Sequence, residues 1–66
     1  MKRWVELTDE YVSKIKHLAR RKIRLQNKME QFVLWDKNEG CFFWEQGESA
    51  AYMDEPDARP THILIG

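Results

Sequence analysis

From Thr8 to Glu39 the chain contains neither glycine nor proline, and this uninterrupted run limits the fold more than any other feature. At 100° per residue, Tyr11, Ile15, Leu18, Leu25 and Met29 fall on one narrow stripe, and Val12, Ala19 and Ile23 widen it. Lys22 falls inside the stripe, where its stem can lie along apolar surface while the ammonium reaches water. Thr8 is a good N-cap, with Asp9 and Glu10 placing negative charge at the positive end of a helix dipole. Leu7 and Val12 have the spacing of a hydrophobic staple. The pattern predicts one amphipathic helix over residues 8–30, roughly 33 Å long. It ends where Phe32-Val33-Leu34-Trp35 switches to strand-favouring residues.

The outer side of such a helix is basic. Lys14, Lys16, Arg20, Arg21, Lys22, Arg24 and Lys28 occur with no acid among them. Like charges at helical spacing repel by a few tenths of a kcal/mol per pair, so solvent, the acidic half of the chain or an anionic partner must offset the cost. Net charge is zero, but residues 30–66 carry Glu30, Asp36, Glu39, Glu45, Glu48, Asp54, Glu55 and Asp57 against only Lys37 and Arg59. The chain is therefore expected to be dipolar, which suits a contact between unlike faces of two copies.

Residues 2–7 read as a first strand. Residues 32–45 read as a hairpin, because Asp36-Lys37-Asn38-Glu39-Gly40 separates two apolar runs. A loop of Lys37 to Gly40 sets Trp35 opposite Phe42 and Val33 opposite Trp44 on one face, and leaves Phe32, Leu34, Cys41 and Phe43 on the other. Both faces are apolar and aromatic. One helix covers one face, so the other is expected to need a second body. Residues 46–60 form an acidic connection in which Glu48 to Met53 reads as a short helix, and residues 61–65 read as a terminal strand. The expected fold class is α+β: one long amphipathic N-terminal helix packed on a small antiparallel or mixed sheet, in the order β-α-β-β-short α-β, as a single domain over 1–66.

Sixty-six residues bury only about 60% of the surface that the unfolded chain exposes. Cys41 is the only cysteine, so no internal disulfide forms, and a reducing intracellular setting is expected. No apolar run approaches a membrane span, and Met1-Lys2-Arg3-Trp4 leads into no signal-peptide core. Cys41, His17 and His62 lack the spacing of metal ligands, so neither a metal nor another cofactor is expected. No glycine-rich phosphate loop and no nucleophile or metalloprotease motif is present, and the chain is not expected to be an enzyme.

The expectation is a small protein–protein interaction module, a regulator or inhibitor of the kind phages encode, acting in the cytoplasm, including that of a host. Its partner is another protein, itself as a homodimer, or both. The residues expected to carry binding are Trp35, Phe42 and Trp44 on the sheet, with Arg20, Arg21, Arg24 and Lys28 on the helix. The alternative is nucleic-acid binding by the basic helix face. Against it stand two points: the aromatic strands carry no Lys or Arg, and a helix lies across the sheet from the rings it would have to assist.

Overall fold

Residues 20–25, Arg-Arg-Lys-Ile-Arg-Leu, have a second periodicity beneath the helical one. From Lys22 to Leu25 cationic and apolar residues alternate strictly, the signature of a strand with one buried face. In the computed structural model, which describes residues 1–66, this second pattern wins. The elements are β1 (Arg3–Glu6), α1 (Asp9–Val12), β2 (Arg20–Leu25), β3 (Glu30–Asp36), β4 (Cys41–Trp44), β5 (Ala50–Tyr52) and β6 (Pro60–Ile65). All six strands form one antiparallel sheet in the order β1-β6-β2-β3-β4-β5.

The long helix over residues 8–30 is therefore absent, and with it the basic helix face and the α+β class. The only helix is the four-residue α1, capped by Thr8, whose Oγ1 accepts a hydrogen bond from the Tyr11 amide at 3.1 Å. The short helix expected within Glu48 to Met53 is also absent, because Ala50–Tyr52 pairs with β4 as β5. No helix is long and apolar enough to cross a membrane.

Charge explains why the strand prevails between residues 20 and 25. In a helix, none of the cations from Lys14 to Lys28 has an acidic neighbour along that run. In the sheet, β2 lies against β3 with Arg24 opposite Glu30. Arg24 and Lys22 both reach Glu30, at 3.1 and 3.8 Å, and Arg20 pairs with Glu45. Repulsion along a helix is replaced by cross-strand attraction. Two supposed stripe residues are also largely exposed, Leu18 at 58% and Met29 at 51%.

The core lies on one face of the sheet. Ile23 and Leu25 of β2, Val33 and Trp35 of β3, Phe42 of β4, Ala51 of β5 and Ile63 of β6 point inward. Leu7, Val12 and Ile15, from the segment joining β1 to β2, close over them. Trp35 sits opposite Phe42 and Val33 opposite Trp44, the register that a Lys37–Gly40 loop dictates. The covering segment is tied down by its backbone: the Leu18 amide donates to the Trp35 carbonyl, and the Trp35 amide to that of Ala19. Trp35 is 5% and Phe42 0% exposed. Seven residues of irregular chain and one helical turn thus shelter these rings, and no second body is needed on that side.

The β2–β3 turn shows why no breaker marked it. Asn27 Oδ1 accepts from the Met29 amide at 3.0 Å, and Lys28 adopts φ of 75°. Asparagine supplies the turn through its side chain, while Lys28 takes a left-handed conformation that costs a lysine about 1 kcal/mol. Lys28→Asn should therefore raise stability by up to about 1 kcal/mol, read as a higher urea midpoint with an unchanged slope. A lower midpoint would refute the strain.

Candidate functional site

The face opposite the core is largely open, with Phe32 and Tyr52 exposed at 41% and 43%, although Cys41 on the same face is buried. Alternation places Trp4 of β1, Leu64 and His62 of β6, Arg20, Lys22 and Arg24 of β2, Phe32 and Leu34 of β3, and Phe43 of β4 on it. Cations and rings interleave there. The Arg20 guanidinium lies 4.1 Å from the centre of the Phe32 ring and the Lys22 ammonium 5.2 Å from it. The Arg24 guanidinium lies 4.2 Å from the Trp4 ring. Each contact is worth about 0.5–1 kcal/mol at an exposed site, enough to hold long side chains flat on the sheet.

Two carboxylates balance part of this charge. Glu30 takes Lys22 and Arg24, and Glu45 takes Arg20. Both acids are about one-third exposed, so solvent screens these pairs and each is worth under about 1 kcal/mol.

At one end of the face is a cleft of about 430 Å³, lined by Lys2, Arg20, Arg21, Lys22, Tyr11 and Phe32 together with Leu64 and Ile65 of β6 and with Gly66 after it. No Asp or Glu side chain lines it. It exists because β2 and β6 pair only over residues 23–25 and 60–63, and part beyond Ile23. Lys2 and Arg21 form no ion pair. Arg21 is steadied by a bond from its Nη1 to the Arg20 carbonyl at 2.9 Å, which leaves its other donors free.

The residues expected to bind are thus divided. Trp35 and Phe42 lie in the core, and Trp44 is half-buried at its margin. Arg20, Arg21 and Arg24 lie on β2, the first two in the cleft and the third over Trp4. Lys28 sits in the β2–β3 turn, at the opposite end of β2 from the cleft. The sequence reading missed Lys2, Trp4, Lys22 and Phe32 as site residues. Period-two alternation in β2 and β3 was the signal that would have put Lys22 and Phe32 beside Arg20 and Arg24.

Reactive chemistry is not assembled. Cys41 is fully buried. Burial pushes its thiol above the ordinary range, Asp36 and Glu39 add to this, and a hydrogen bond with Tyr52 partly opposes it. The Tyr52 hydroxyl is raised in turn, chiefly by the same bond. A protonated, buried thiol is a poor nucleophile. His17 Nδ1 accepts from the Lys37 amide at 3.1 Å, and His62 Nδ1 lies 3.0 Å from Thr61 Oγ1. Both are structural contacts. No group of three or more His, Cys, Asp or Glu side chains is placed to hold a metal ion.

What remains is a flat surface of rings and cations with a basic cleft at its edge. Comparison with protein-family models, with curated proteins and with solved structures finds no match for this chain.

Proposed function

We propose that this chain is a small non-enzymatic binding module that holds single-stranded nucleic acid on the outer face of its sheet. The observation that supports this most is the interleaving of Arg20, Lys22 and Arg24 with Phe32 and Trp4 on one open surface. Unpaired bases stack on aromatic rings and guanidinium planes, while cations track the phosphates. Of the two objections drawn from the sequence, the second assumed a basic helix; the first still holds, since β3 and β4 carry no Lys or Arg. The second falls away, and the first is offset because β2 sets Arg20 and Lys22 beside the ring of Phe32 on β3.

Duplex binding is the poorer fit, because α1 is a single turn and offers no helix for a major groove. A protein partner is the second reading. It is favoured by Phe32 and Tyr52, exposed at 41% and 43%, and by half-buried Leu34 and Phe43 between them. A regulator or inhibitor role belongs to that reading, as does a second copy of the chain.

Fluorescence anisotropy with labelled single-stranded and duplex oligonucleotides, titrated at several salt concentrations, separates these. Single strands should bind more tightly than duplex, with affinity falling linearly in log salt by about 0.7 per phosphate contact. Absence of binding to single strands at low salt removes the nucleic-acid reading, since phosphate contacts are strongest there.

A further inference from the structure

We infer that the cleft between the start of β2 and the end of β6 is a subsite for one phosphate-bearing nucleotide unit, a deepening that rests on the nucleic-acid reading above. Three observations point to it. Its volume of about 430 Å³ falls in the range of small-ligand sites and matches one nucleotide rather than a length of chain. Its wall combines four cations with two rings, Phe32 and Tyr11, and with Leu64, Ile65 and Gly66, and carries no Asp or Glu side chain. The cations also fall into two kinds. Arg20 and Lys22 are held at the border by Glu45 and Glu30, while Lys2 and Arg21 have no acidic partner.

The free pair takes the phosphate. Arg21 offers a planar fork suited to phosphate oxygens and Lys2 a mobile point charge. The base lies toward Phe32, where the Arg20 guanidinium already rests 4.1 Å from the ring centre, so a base meets either the ring or the guanidinium plane. The subsite therefore selects for phosphate and flat ring together over either alone.

Titration of the isotopically labelled protein with adenosine monophosphate, adenosine and inorganic phosphate, followed by NMR shifts, tests this. Expected is tighter binding of the monophosphate than of adenosine or phosphate, with shifts at Lys2, Arg21, Lys22 and Phe32. The K2Q/R21Q variant should weaken it about tenfold, the loss expected for charge-assisted bonds at an exposed site. The control K14Q/K16Q, equal in charge and exposed but away from the cleft, should change it less than twofold, as a distant surface charge does. Equal weakening in both variants, or monophosphate binding no better than phosphate, overturns the subsite. The two readings fail separately. Single strands that bind K2Q/R21Q as well as wild type would remove the subsite and leave the open face. A monophosphate that binds as tightly as any oligonucleotide would leave the subsite and remove the strand-binding face.

Discussion

Phe42→Ala should lower folding stability by about 3–5 kcal/mol, while Phe32→Ala should lower it by only about 1–2 kcal/mol. Phe42 is 0% exposed and its ring centre lies 4.6 Å from that of Trp35, tilted by 50°. It faces Ala51 on one side and Trp35 on the other across the sheet, so truncation opens a cavity at the middle of the β3-β4-β5 ladder. Such changes cost about 3–5 kcal/mol. A chain of 66 residues at 0.05–0.15 kcal/mol per residue has about 3–10 kcal/mol to lose. Phe32 stands ten residues earlier and on the other face, 41% exposed. Its removal forfeits two cation–ring contacts and some partly buried area, together about 1–2 kcal/mol. Urea unfolding followed by tryptophan fluorescence measures both. Comparable losses from the two substitutions would mean that the outer face is also enclosed, and would remove the open surface on which the proposed function stands.

The aromatic hairpin was legible because loop length sets antiparallel register. Once Lys37 to Gly40 is the loop, Trp35 must face Phe42. What covered that face was not legible. The stripe of Tyr11, Ile15, Leu18, Leu25 and Met29 satisfied a helical period, yet Ile15 is core, Leu18 and Met29 are largely exposed, and Leu25 belongs to a strand. Local pattern was ambiguous, and tertiary pairing decided. The repulsion among seven cations with no intervening acid was the warning. For Arg20, Lys22 and Arg24 it was relieved by Glu30 and Glu45, which stand outside the run in sequence but near it in the sheet.

The site shows the same division between what local sequence carries and what pairing supplies. That arginines and rings would meet a partner followed from composition, and Arg20 and Arg24 do lie on the open face, while Arg21, in register with Val33 on the other side of β2, lines the cleft at its end. Which rings accompany them did not follow. A helix would have carried the cations away from Phe32, and nothing in residues 1–30 alone says that Trp4 reaches Arg24 across β6. That contact depends on the terminal strand inserting between β1 and β2, an arrangement set by residues 60–65.

Neutralising the β2 cations and neutralising their carboxylate partners should move strand binding in opposite directions. The variant R20Q/K22Q/R24Q should lose roughly a hundredfold in affinity for a single-stranded oligonucleotide at moderate salt, taking about 1 kcal/mol per partly exposed cation. Its salt slope should shrink by about 2, at 0.7 per phosphate contact. E30Q/E45Q should bind more tightly than wild type. Glu30 holds Lys22 and Arg24, and Glu45 holds Arg20, so the acids stand where strand phosphates would pair and must be displaced. Removing them spares the ligand that competition. A gain also follows from net charge alone, and E48Q/D57N controls for it, since both acids are exposed and neither forms an ion pair. Direct competition predicts a gain from E30Q/E45Q several times that from E48Q/D57N, widest at low salt where screening is weakest. Equal gains would show that the face responds only to overall charge. A loss of affinity in E30Q/E45Q would show instead that the carboxylates position the cations for the ligand, as Glu30 does when it spans Lys22 and Arg24.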